Sequence, residues 1–249
     1  MTGGAPFAWP DGKRGAVSLS FDDARPSQVD AGLLILDAHG VRATFYLSLP
    51  FIPQRLPAWR AAAARGHEMG NHTATHPCSG NFPWSRANAL ESCTLERMED
   101  EVARASAAIR YLVGVEPATF AYPCGQKFVG RGESARSYVP VIARRFLAGR
   151  GFRDEAPNDP AFCDLAQAAG IDGDDASFEA LRGMIDQAVQ TGGWLILACH
   201  DVGDFARQAI RAEVLDEVCR YSQDPASGVW IDSVASVSAH IRRWRNGQP

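Results

Sequence analysis

The residues Gly15-Ala-Val-Ser-Leu-Ser-Phe-Asp-Asp-Ala24 form an apolar run that stops at two adjacent carboxylates. Ala16, Val17, Leu19 and Phe21 follow a turn at Gly12-Lys-Arg-Gly15 and read as a short buried parallel strand rather than a helix. Asp22 and Asp23 then stand at its C-terminal tip. Neighbouring side chains at a strand end diverge, so one carboxylate can bind a cation while the other faces whatever that cation activates. The alternative is that the pair caps the helix that follows.

The rest of the chain repeats this alternation. Pro26-Ser27 precedes Val29, Leu33, Leu34 and Leu36 at helical spacing, and Gly40 closes the segment. Val41 to Leu47 predicts a second strand, with a Pro-punctuated exit from Leu49 to Pro57, and Trp59 to Ala64 a short helix. His67 to Asn71 predicts a third strand that delivers His72. The segment from Pro77 to Ser92 is longer than an ordinary connection and reads as a functional loop, with Phe82 and Trp84 as its contact residues. Leu95 to Leu112 has the period of an amphipathic helix. Thr119 to Tyr122 reads as a fourth strand, turned by Pro123-Cys-Gly125, and Gln126 to Ser137 as a second loop on the active face. Beyond it the pattern gives a helix from Val139 to Arg145 and a strand from Arg145 to Ala148. Gly149 to Asp175 is irregular, and Phe178 to Gln190 is helical. Trp194 to Cys199 is the most apolar strand and ends at His200-Asp201. Helices from Ala206 to Tyr221 and from Ser233 to Trp244 flank a short strand, Val229 to Ile231. At 249 residues this predicts one α/β barrel domain spanning 1–249.

Composition narrows the partners. A net charge of −4, with 25 Lys and Arg not gathered into a block, gives no footprint for nucleic acid. No apolar run reaches membrane-spanning length, and the first residues lack a leader's charged and apolar regions. The expectation is a protein with no nucleic-acid or membrane partner, either cytoplasmic or exported and read here without its leader. The six cysteines, at 78, 93, 124, 163, 199 and 219, contain no C-x-x-C pair and are expected to be mostly free thiols.

The candidate chemistry lies at strand ends. His72-Thr-Ala-Thr-His76 places two imidazoles four apart, where one helical turn would bring them to the same face to share a metal. With one oxygen from Asp23 they would supply three ligands and leave open positions for water and substrate. Phe120-Ala-Tyr-Pro-Cys-Gly125 is a strand ending in a turn whose backbone N–H groups could meet an oxyanion. Leu195 to His200 lifts one more histidine to the same rim. Barrels of parallel strands do their chemistry at that C-terminal face.

These motifs together resemble the polysaccharide deacetylases, carbohydrate esterase family four. Ser20-Phe-Asp-Asp23 is similar to T-F-D-D-G, His72 to His76 to H-[ST]-x-x-H, Phe120 to Gly125 to R-x-P-Y-G, and Leu195 to His200 to L-x-L-H. The resemblance runs from about residue 15 to 232. It implies a single distorted (β/α)7 barrel and one divalent metal, zinc ahead of cobalt or nickel, held by Asp23, His72 and His76. It further implies Asp22 as general base, His200 as general acid, an oxyanion turn at Tyr122, Pro123, Cys124 and Gly125, and an acetylated oligo- or polysaccharide as substrate. Alternatives are a cyclic amide hydrolase of the allantoinase type that has lost its metal, and a non-catalytic sugar-binding barrel.

The chain departs from the pattern in three places. Ala24 replaces the usual Gly, Cys124 stands where Tyr is common, and Ala121 occupies the place of the arginine that holds the general base in many relatives. Arg150, whose planar fork suits a carboxylate, is the candidate to replace it from a loop on the active face. Asp154 and Asp159 are candidates for the acid that accompanies the last histidine.

Overall fold

The computed structural model describes residues 6–205 and 207–247. Its centre is β1 (Gly15–Asp22), buried along its whole length. Such a strand needs partners on both edges and a layer on each face, and alternate residues of this one supply both contacts. Val17, Leu19 and Phe21 join the apolar cluster shared with Leu33, Leu36, Leu181 and Ile185 of the surrounding helices. Ser18, Ser20 and Asp22 have the opposite parity and turn to the concave side, where Ser18 accepts a hydrogen bond from Trp194 Nε1 at 3.0 Å.

In chain order the strands that follow are β2 (Thr44–Leu47), β3 (Glu68–Asn71) and β4 (Thr119–Ala121). An antiparallel hairpin of β5 (Phe128–Val129) and β6 (Arg136–Ser137) intervenes before β7 (Ala148–Arg150), β8 (Ile171–Asp172) and β9 (Trp194–Cys199). A small parallel pair, β10 (Asp201–Val202) and β11 (Ala209–Ile210), precedes β12 (Val229–Ile231). The main sheet runs β7-β4-β3-β2-β1-β9-β8 with every pair parallel. One edge of β1 is divided, with Gly15 to Val17 facing β12 and Ser20 to Asp22 facing β2. A parallel bridge from Arg150 to Ala168 brings the β7 edge to the segment that leads into β8, so the sheet curls back on itself. The result is the expected distorted barrel, with the C-terminal ends of its strands at one rim.

Helices cover the convex face: α1 (Leu33–Ala38), α2 (Leu56–Ala64), α3 (Leu95–Val113), α4 (Val139–Arg145), α5 (Phe178–Thr191), α6 (Ala212–Gln223) and α7 (Val234–Arg245). α3 has clear stops at both ends: Thr94 accepts the Arg97 N–H at its start, and Gly114, at φ 93°, ends it. Its buried stripe of Met98, Val102, Ala105 and Ile109 is the one its period predicts.

Several sequence expectations are corrected. The Arg145 to Ala148 strand begins only at Ala148, because α4 continues through Arg145. The irregular stretch from Gly149 to Asp175 contains the end of β7 and all of β8. The helix expected from Ala206 starts at Ala212, and Ala206 itself lies outside the described residues. The Gln126 to Ser137 loop contains the β5–β6 hairpin. The cysteines are mostly free, as expected: Cys93, Cys163, Cys199 and Cys219 are unpaired, while Cys78 and Cys124 form a disulfide across 46 residues. Among the described residues no helix is long and apolar enough to cross a membrane.

Candidate active site

At the rim, β1 presents its two aspartates differently. Asp22, the last residue of the strand, is buried, whereas Asp23, at φ 76°, turns out of it. Asp22 meets Arg150, whose Nη2 donates to Asp22 Oδ1 while Nη1 donates to the Gly151 carbonyl at 2.8 Å. Arg150 ends β7 as a fully buried side chain, its guanidinium 5.0 Å from the Tyr46 ring centre, and is therefore a strand residue instead of a loop residue. The register accounts for its place, because β7 pairs with β4 so that Arg150 lies directly opposite Ala121. Paired positions on parallel neighbours point to the same face. The small Ala121 side chain thus leaves room for a guanidinium delivered from the next strand. Gly170 completes the channel, since a Cβ there would lie 2.6 Å from Arg150 Cδ.

This contact sets the charge of Asp22. Burial alone would raise its pKa, but the Arg150 guanidinium, seconded by His72 and His200, reverses the sign and brings it to about 2.

Asp23, His72 and His76 come together. Asp23 Oδ1 lies 3.7 Å from His72 Nε2 and 3.6 Å from His76 Nε2. His72 Nδ1 is 2.9 Å from the Ala121 carbonyl, which can only accept, so the proton is on Nδ1 and the Nε2 lone pair faces Asp23. Burial, and then the neighbouring His72, lower the His76 pKa to about 4, which keeps that ring neutral near pH 7. Two donors each about 2.1 Å from a tetrahedral ion stand about 3.4 Å apart. The three residues therefore fit a divalent cation by donor type and spacing, His72 by its tautomer as well, and leave coordination positions open. The expected helical turn is absent here. Residues 72–76 form a loop in which Thr73 (φ 64°) and His76 (φ 53°) are left-handed, and the loop achieves the same convergence.

His200 follows β9 and is held by Asp174, which accepts the His200 backbone N–H at 2.9 Å and Nδ1–H at 2.6 Å. Burial works against protonation of this ring, but the bond to Asp174 and the fields of Asp22 and Asp23 outweigh it, and the pKa is raised. Asp174 is thus the partner that the sequence reading sought at Asp154 or Asp159. Asp154 instead accepts from the Gly170 N–H, and Asp159 from the Ala161 N–H.

Asp22, Asp23, His72, His76 and His200 open into one cleft of about 580 Å³. Phe51, Phe82, Trp84 and Phe152 give it apolar walls. Phe82 and Trp84 stack with ring centres 5.4 Å apart, and Trp84 stands 5.8 Å from the His76 ring. Of the turn after β4, Cys124 reaches the cleft, whereas the buried Tyr122 sends its hydroxyl to the Ala166 carbonyl at 2.6 Å. Gly125 (φ 69°) lets the turn pass Phe152, where a Cβ would lie 2.8 Å from the Phe152 carbonyl oxygen. The Cys78–Cys124 disulfide fastens this turn to the loop that carries His76. Sequence reading missed Phe51, Phe152 and Arg25 in this wall; Arg25 alone carried a signal, as a charge directly after the aspartate pair.

The comparisons with known proteins agree with this architecture. A gellan lyase from Bacillus sp is 31% identical over 147 residues, 57% of this chain and 5% of that protein. A chitooligosaccharide deacetylase from Bradyrhizobium sp. (strain ANU 289) is 35% identical over 96 residues, 38% of this chain and 39% of that one. The chain thus spans well under half the length of the curated relatives it matches. A crystal structure from Mycobacterium smegmatis superposes with a TM-score of 0.67 at 18% identity, covering 98% of this chain and 96% of that one, which shows a shared fold. The family model described as polysaccharide deacetylase matches residues 10–137, just over half of the sequence and the part that carries the aspartate pair, both imidazoles and the β4 turn, and the chain belongs to that family.

Proposed function

We propose that this protein is a metal-dependent hydrolase that removes acetyl groups from N- or O-acetylated carbohydrate. One observation carries the reading: an ionised carboxylate, an oriented imidazole and a three-donor cation set face one another around one cleft. The similarity to a chitooligosaccharide deacetylase supports the carbohydrate class.

A divalent cation held by Asp23, His72 and His76, zinc ahead of cobalt or nickel, would supply Lewis acidity to the acetyl carbonyl and to a water. Asp22 takes the proton of the attacking water through Oδ2, the oxygen that does not bind Arg150. The turn at Cys124, which lines the cleft, would offer a backbone N–H to the oxygen on which negative charge develops. His200, its Nδ1 occupied by Asp174, protonates the departing nitrogen or oxygen through Nε2. Phe82 and Trp84 offer flat apolar faces to the sugar.

Two outcomes are expected. Acetate should be released from at least one member of a panel of N-acetylated chitooligosaccharides, peptidoglycan and acetylxylan; metal-loaded protein inert on all three contradicts the reading. Asp174→Asn should move the basic limb of the kcat/KM–pH profile to lower pH. The general acid works below its own pKa, and the substitution removes a negative partner that raises it. An unmoved basic limb would detach Asp174 from this role.

A further inference from the structure

Arg25 has no part in the chemistry above, yet it binds the proposed cation ligand directly. Asp23 and Ala24, at φ 76° and 57°, fold the chain back so that the Arg25 head returns to Asp23. Arg25 Nη2 donates to Asp23 Oδ2 and to Gln208 Oε1, both at 3.1 Å, and Nη1 donates to Asp201 Oδ2 at 2.7 Å. The next residues extend the clamp. Ser27 Oγ donates to Asp201 Oδ1 at 2.6 Å, and Gln28 Nε2 donates to the Asp22 and His200 carbonyls at 2.5 and 2.9 Å. The exits of β1 and β9 are therefore fastened to each other by three side chains of one short segment, Arg25, Ser27 and Gln28.

The consequence for Asp23 is a division of labour between its oxygens. Oδ2 is taken by Arg25, and Oδ1 faces the two Nε2 atoms while accepting a longer hydrogen bond from Ser48 Oγ at 3.4 Å. The terminal torsion of a carboxylate is broad, so nothing intrinsic to Asp23 would select this orientation. Two successive left-handed residues that are not glycine also need their surroundings to hold them. We propose that Arg25 is a positioning residue for the cation site, fixing Asp23 as a one-oxygen ligand and tying it to the β9 exit through Asp201. This inference rests on Asp23, His72 and His76 being the ligands. A guanidinium beside a cation site also repels the cation, but its ion pair with Asp201 at 2.7 Å opposes that field, and the larger effect proposed for Arg25 is on orientation.

Zinc alone is the probe, titrated into metal-stripped protein in competition with a chromophoric chelator. Arg25→Ala should weaken zinc binding by about 10- to 100-fold, the usual effect of losing a partner that orients a ligand, with Arg25→Lys falling between it and wild type. At saturating zinc the kcat of Arg25→Ala should return to within a few-fold of wild type, which a defect in the proton-transfer groups would not do. Zinc affinity in Arg25→Ala within about twofold of wild type, or tighter, overturns the proposal. If Arg25→Ala does not fold, Arg25→Lys decides by the same criterion. Asp23→Ala in the same titration separates the two levels: wild-type affinity there sinks the ligand assignment itself, whereas loss in Asp23→Ala with none in Arg25→Ala sinks only the role of Arg25.

Discussion

Asp22→Asn is expected to lower kcat by about 10²- to 10⁴-fold while the protein keeps its bound cation. The amide has nearly the shape of the carboxylate and can still accept from Arg150, but it cannot take a proton from water. The choice of Asp22 over Asp23 rests on what each touches. Asp22 is buried against a guanidinium that keeps it ionised, and Asp23 faces two imidazole lone pairs. Metal content measured beside turnover distinguishes the two. Loss of metal with little change in rate per bound metal would mean that the two aspartates have exchanged roles.

The second large effect is expected from Arg150→Ala. Asp22 would then be a buried carboxylate without its counter-charge, and breaking such a pair from one side costs about 3–5 kcal/mol. The sign with pH follows from the depressed pKa. A carboxylate held near 2 in the folded state contributes stability at neutral pH and loses it as pH falls from about 4 toward 2. Without Arg150 the burial penalty loses its largest opposing charge, with only His72 and His200 left against it, so the pKa rises, and the acidic limb of the kcat/KM profile should move up by about 1–3 units. Arg150→Lys keeps the charge but cannot span both the carboxylate and the Gly151 carbonyl, so an intermediate shift is expected. In an Asp22→Asn background the stability cost of Arg150→Ala should shrink, because the two changes share one interaction. An acidic limb unmoved in Arg150→Ala would reduce Arg150 to a brace for β7.

The legible parts of this molecule are those that local sequence determines. β1 and β9 announce themselves as apolar runs, and α3 by its period and terminal glycine. The rim chemistry is legible because Asp22, Asp23 and His200 stand at the ends of such runs and His72 directly follows the short strand β3. β7 and β8, three and two residues long, have no pattern of their own and exist only through pairing with β4 and β9. Asp174 was lost among Asp172, Asp175 and the nearby glycines for the same reason. The His72 to His76 spacing correctly suggested a shared face and wrongly suggested a helix, since two left-handed residues in a loop close the same distance. Arg150 could be named as a candidate from the gap at Ala121, but its placement opposite that gap is a fact of strand register. The Cys78–Cys124 bond joins two loops from different strands, which cysteine spacing cannot reveal.

The central claim is that Asp23, His72 and His76 hold the cation on which acetate release depends. It is tested most directly by stripping the protein with a chelator, restoring single divalent metals, and following bound metal and released acetate together in wild type and in the triple Ala variant of these residues. The account predicts about one metal per wild-type chain, activity that vanishes on stripping and returns with zinc, cobalt or nickel, and neither metal nor activity in the triple variant. Full acetate release from stripped protein, or one equivalent of metal retained by the triple variant, would contradict it.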